Sequence, residues 1–123
     1  MRIILADHHT KPSWALRKLI EEQPQFTFIG EAANAQALLT LARANSPDLV
    51  LMDSELPGMF IEDLITQLHA IEPAPIVVAM SSEFENSRKL LKAGADAFVS
   101  KSDQPDWLLE TLYQFESRSK KSG

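Results

Sequence analysis

Pro47-Asp48-Leu49-Val50-Leu51-Met52-Asp53, followed closely by Leu56-Pro57-Gly58-Met59, is the stretch that decides how this chain folds. Leu49 to Met52 are continuously apolar. A half-exposed strand would show a polar residue at every second position, so this run suits a strand covered on both faces. It ends on a carboxylate, Asp53. Two similar runs lie further out, Ile3-Ile4-Leu5-Ala6 and Ile76-Val77-Val78-Ala79-Met80, with a shorter one at Ala97-Phe98-Val99. Phe26-Thr27-Phe28-Ile29 mixes in polar character, as an edge strand does.

Stretches of helical length and period separate these runs. Pro12 to Glu22 places Trp14, Leu16, Leu19 and Ile20 on one face, with Pro12 in a first turn where its missing N–H costs nothing. Ala35 to Ala44 does the same with Ala37, Leu38, Leu41 and Ala42, behind Asn34 as N-cap. Glu62 to Ile71 offers Leu64, Ile65, Leu68 and Ile71 and stops before Pro73; Phe84 to Ala93 ends at Gly94; Pro105 to Phe115 carries Trp107, Leu108, Leu112 and Phe115. The polar residues 116–123 are expected to fray. Strand and helix alternate throughout, which predicts an α/β fold: parallel strands, right-handed crossovers and helices on both faces.

In such a sheet, ligands bind outside the carboxyl ends of the strands, where the strand order reverses. The residues just past the apolar runs are Asp7-His8-His9, Asp53-Ser54-Glu55, Ser81-Ser82-Glu83 and Ser100-Lys101. If the first and third strands are neighbours, Asp7 and Asp53 face each other and require a cation. A hard metal ion such as Mg²⁺, or Lys101, would meet that need, and the donor set suits phosphoryl chemistry. Singly, each of these residues reads more readily as a helix cap or a solvated strand end.

Composition narrows the function classes. Across 123 residues, 45% hydrophobic and 24% charged usage supports one conventional core and argues against disorder. With no cysteine there is no disulfide framework, thiolate metal site or cysteine nucleophile. Met1-Arg2 leads straight into a short apolar run, too short for a signal-peptide core or membrane span, so the expectation is a cytoplasmic protein with no membrane partner. A formal net charge of -5 disfavours direct nucleic-acid binding.

From Ile3 to about Tyr113 the chain resembles the receiver domain of bacterial response regulators, closest to the subclass with a carboxyl-terminal helix-turn-helix output domain. The likeness rests on the quoted 47–59 segment, Gly30-Glu31-Ala32, and Ala93-Gly94-Ala95-Asp96 leading to Lys101. It implies a flavodoxin-like (βα)5 doubly wound sheet of strand order 2-1-3-4-5, with residues 1–117 the domain and 118–123 a flexible tail or the start of a linker. It also implies a signalling switch rather than a metabolic enzyme. Asp53 would accept a phosphoryl group from a histidine kinase or phosphotransfer protein, Ser81 would bond that group and Lys101 would neutralise it. Asp7, Asp53 and the backbone carbonyl of Glu55 would bind Mg²⁺, and Phe98 would turn inward as Ser81 moves. The pull on Ser81 and Lys101 would bias two packings of the loops and the fourth helix.

The sequence departs from this pattern in several places. The family has two adjacent acidic residues after its first strand, where this chain has Asp7-His8. Imidazole is a ligand for transition metals rather than Mg²⁺, so His8 weakens or abolishes ordinary metal binding. Protonated, it would itself replace the cation; the plainer reading is a solvated histidine beside a working site. A transition-metal site of Asp7, His8, His9 and Asp53 is the sharpest reading and the least supported. Phe60-Ile61 stands where Asp-Gly is usual, and reads as a core staple before the next helix more readily than as an exposed contact patch. The segment after Ser81 is short, and Glu55 and Glu83 flank the site with negative charge.

Two alternatives follow. One is a phosphorylation-independent pseudo-receiver that serves protein contact or homodimerisation, with the apolar last helix as the candidate surface, although packing of that helix on the sheet is the plainer reading of its residues. The other is a flavin-binding or hydrolytic enzyme on the same fold, disfavoured because Asp7-His8-His9-Thr10 lacks glycine and no Gly-x-Ser-x-Gly is present.

Overall fold

The structure is a computed structural model that describes residues 1–8, 10–101 and 105–121; the side chains of residues 9–15, 84, 102–107 and 118–123 fall outside the description. The strands β1 (Arg2–Ala6), β2 (Thr27–Ala32), β3 (Leu49–Asp53), β4 (Ile76–Ser81) and β5 (Ala97–Ser100) form one parallel sheet ordered β2-β1-β3-β4-β5. They alternate with α1 (Thr10–Glu21), α2 (Ala35–Asn45), α3 (Ile61–His69), α4 (Ser87–Lys92) and α5 (Pro105–Lys121). This is the flavodoxin-like order, and it reverses direction between β1 and β3.

Each continuous apolar run is divided between two cores. Ile4, Ala6, Val50, Met52, Val77 and Ala79 pack against Leu38 and Ala42 of α2, Leu64, Ile65 and Leu68 of α3, and Leu90 of α4. Their neighbours Ile3, Leu5, Leu49, Leu51, Val78 and Met80 face the other way, against Ile20 of α1 and Leu108 and Leu112 of α5. Each Ile, Leu, Val or Met among them contributes about 1.5–3 kcal/mol on burial, so the strands are held from both sides and their ends are rigid platforms. The edge strand β2 is only partly covered, in keeping with its mixed sequence.

Several expectations are corrected. The segment after Ser81 is not one helix from Phe84 but a 3-10 turn, Phe84–Asn86, followed by the six-residue α4. Helix α5 runs past its expected end at Phe115 to Lys121. Phe60 is not a core staple: it is 79% exposed at the N-cap of α3, while Ile61 takes the half-buried place against the core. The last helix, by contrast, packs on the sheet as its plainer reading expects: Leu108 and Leu112 are buried there, and Tyr113 is half-buried against Phe26, ring centroids 5.0 Å apart. The positions of Trp14 and Trp107 lie outside the described side chains.

Candidate functional site

The strand register brings the polar strand ends together. Ala6 is level with Met52, Asp53 with Met80, and Ser81 with Ser100, so the residues at and just after these positions emerge along one edge. Asp53 is the last residue of β3 and only 2% exposed. One of its oxygens, Oδ1, accepts the backbone N–H of Glu55 at 2.7 Å, an Asx turn that starts the following loop. The other, Oδ2, accepts a hydrogen bond from Lys101 Nζ.

Lys101 follows β5 directly and is anchored by its own backbone, whose N–H donates to the carbonyl of Ser81 at 2.8 Å. Its ammonium also donates to Asp7 Oδ2 at 2.9 Å, so one cation bridges two buried carboxylates. Burial opposes that charge, but the hydrogen bonds and Coulombic attraction of Asp53 and Asp7 outweigh it and raise the Lys101 pKa above the ordinary lysine value. Asp7 is in turn fixed by its backbone N–H, which donates to Ala32 in β2 at 3.0 Å. The expected meeting of Asp7, Asp53 and Lys101 is therefore present.

Ser81 ends β4, is 4% exposed, and its Oγ accepts two hydrogen bonds at 3.1 Å, from the Glu83 backbone N–H and from Asn86 Nδ2. Phe98 is half-buried in β5, packed on the α2–α4 side of the sheet. His8 is exposed, yet one of its ring nitrogens and a carboxylate oxygen from each of Asp7 and Asp53 lie within 4.8 Å of one another. Glu55 and Glu83 are exposed beside the site, and His9 lies outside the described residues.

Three contributors escape a reading of the sequence. Gln36, at the start of α2, donates from Nε2 to the Gly58 carbonyl at 2.9 Å, while the Ala35 N–H donates to Pro57 O at 2.8 Å; together they tie down the loop after Asp53. Gly58 has φ +109, and an added Cβ would strike Gln36 Oε1. Ser54 donates its N–H to Met80 O at 2.8 Å and keeps a buried Oγ with no hydrogen-bond partner among the described residues. The third is Asn86. Only the Pro57-Gly58 pair left a sequence signal: Gln36 and Ser54 depend on contacts between segments far apart in the chain, and Asn86 on the conformation of the turn after Ser81.

A family model described as the response regulator receiver domain matches residues 3–113. The nitrate/nitrite response regulator protein NarL of Escherichia coli (strain K12) is 32% identical over 114 residues, covering 91% of this chain and 53% of that one. YhcZ of Bacillus subtilis (strain 168), described as an uncharacterized transcriptional regulatory protein, is 33% identical over 115 residues, covering 90% and 53%. Among solved structures, a LuxR-family two-component response regulator from Aurantimonas sp. SI85-9A1 is similar with a TM-score of 0.85 at 29% identity, covering 94% of this chain and 84% of that one. The chain thus spans about half the length of the curated relatives it matches.

Proposed function

The chain belongs to the receiver domains of two-component response regulators, and we propose on that footing that Asp53 accepts a phosphoryl group from a histidine kinase or phosphotransfer protein. The observation that carries the reading is the buried Asp53 carboxylate hydrogen-bonded to Lys101, with Asp7 and Ser81 at adjoining strand ends. A carboxylate oxygen of Asp53 would attack phosphorus, forming the aspartyl phosphate as the bond to the donor histidine breaks and its imidazole leaves. Lys101 supplies positive charge against the phosphoryl oxygens. Ser81, whose acceptor lone pairs are already used, has its O–H left to donate to one of them.

Mg²⁺ fits part of the donor set. Two carboxylates and a backbone carbonyl suit a hard cation that keeps several waters, whereas the His8 nitrogen does not. Asp7, Asp53 and the Glu55 carbonyl would hold the ion, His8 would stand outside its coordination, and the bound ion would add charge neutralisation for phosphoryl transfer. One acidic ligand fewer means a weaker hold.

A second reading is favoured by the same ammonium. Lys101 already satisfies both carboxylates, so the domain would stand in one state without phosphorylation and serve protein contacts or homodimerisation. The two are separated by incubating the chain with Mg²⁺ and a small phosphodonor and measuring intact mass. A single phosphoryl adduct, abolished by Asp53→Asn, is expected; no adduct under conditions that label an ordinary receiver domain would remove the first reading and leave the second. That YhcZ is called a transcriptional regulatory protein, and that this chain spans about half its length, support attachment to a transcription-regulating output domain, and the net charge of -5 disfavours direct DNA contact by this domain itself. Among the described residues no helix is long and apolar enough to cross a membrane.

A further inference from the structure

Two asparagines stand at helix N-caps in this chain and do different things. Asn34, before α2, is extended (φ -154, ψ 168), and its side chain accepts the Ala37 N–H at 2.8 Å, the ordinary N-cap bond. Asn86, before α4, is helical (φ -76, ψ -11) and makes no side-chain cap bond. Its amide is turned away from α4 and donates instead to Ser81 Oγ at 3.1 Å. Helix α4 has only six residues and starts without that cap, although a capping residue is in place.

The Ser81 hydroxyl is held from two sides within one turn. The Glu83 N–H and the Asn86 amide fill its acceptor capacity, and the Asn86 N–H closes the turn on Glu83 O at 3.1 Å. Any movement of Ser81 toward a group on Asp53 must break or stretch the Asn86 bond. Once free, that amide side chain has a second role within reach: the first-turn N–H groups of α4, which it makes no cap bond to now, become its partners when Asn86 turns extended as Asn34 is.

We propose that Asn86 is a positioning residue that exchanges one role for another: it aims Ser81 while Asp53 is unmodified, and caps α4 when Ser81 departs. The inference rests on the phosphoryl-acceptor reading for its signalling purpose, but the exchange of partners is a property of the loop itself. Each state gives the Asn86 side chain a hydrogen bond, and the capping state gives up the turn bond from its N–H to Glu83 O, so the uncapped state is held until a local event at Ser81 shifts the balance.

The test is amide hydrogen exchange of Arg88 and Lys89, the second and third residues of α4, in wild type, Ser81→Ala, Asn86→Ala and the double variant. Removing the hydroxyl frees Asn86 to cap, so Ser81→Ala is expected to slow exchange at these amides about fivefold, the worth of a typical N-cap. Neither Asn86→Ala nor the double variant should show the slowing. An unchanged rate in Ser81→Ala, or equal slowing in the double variant, overturns the proposal. A second arm adds beryllofluoride and Mg²⁺ and follows backbone amide shifts: Asp53 and Lys101 should respond in both wild type and Asn86→Ala, and the α4 amides fully only in wild type. Equal α4 responses in the two proteins overturn the proposal. Silence at Asp53 and Lys101 in wild type would instead count against the phosphoryl-acceptor reading, with the exchange arm still deciding the role of Asn86.

Discussion

Replacing Lys101 by methionine removes one cation from between two carboxylates whose side chains are 1% and 3% exposed, Asp7 and Asp53. Methionine keeps much of the apolar stem, so the loss isolates the charge. Breaking a buried ion pair by deleting one partner costs about 3–5 kcal/mol. Lys101 itself remains 22% exposed, and water entering its place lowers the cost, so about 3 kcal/mol at neutral pH is the expected loss. Urea unfolding measures it, with Lys101→Met, Asp53→Asn and the double variant closing a cycle. The double variant should be more stable than the sum of the single losses implies, because neutralising Asp53 removes the repulsion that Lys101→Met exposes. Mg²⁺ should stabilise Lys101→Met more than wild type, since the metal then takes an uncontested pair of carboxylates. The pH dependence has a definite sign: the Lys101 pKa is raised on folding, so its contribution is complete below the unfolded value near 10.5 and disappears as the pH climbs through the higher folded value. A Lys101→Met loss below about 1 kcal/mol, or additivity within about 0.5 kcal/mol, would refute the bridging role.

Three further outcomes are expected. His8→Asp restores a second acidic residue after β1 and should tighten Mg²⁺ binding by roughly tenfold, from one added charge a few ångströms away in a partly solvated site; isothermal titration or NMR shifts at Asp7 and Asp53 read it. Asn34→Ala removes the cap bond to Ala37 and should lower stability by about 1 kcal/mol, seen as a reduced thermal midpoint with the fold intact. Gly58→Ala puts a side chain at φ +109 and against Gln36; a destabilisation of about 1–2 kcal/mol is expected, with Gln36→Ala in the same background recovering the steric part in chemical unfolding.

The strands were legible because a strand buried on both faces cannot alternate: Leu49 to Met52 and Val77 to Met80 had to be continuously apolar, and polar residues could return only at their ends. The same physics placed Asp7, Asp53 and Lys101 at strand ends. Asn34 was legible as a cap because capping is local. Phe60 was misread for the opposite reason: an apolar pair before a helix suits a staple, but the covered place belongs to Ile61, and only the packed structure shows which of two neighbours is taken in.

What the chain alone settles is therefore the alternation of elements and the chemistry available at their ends, both encoded within windows of a few residues. Tertiary structure decides that Lys101 Nζ reaches Asp7, 94 positions away, because the order β2-β1-β3-β4-β5 places β1 and β3 side by side. A hydrogen bond has a reach of about 3 Å, and no window of sequence records which distant groups the folded sheet brings within it.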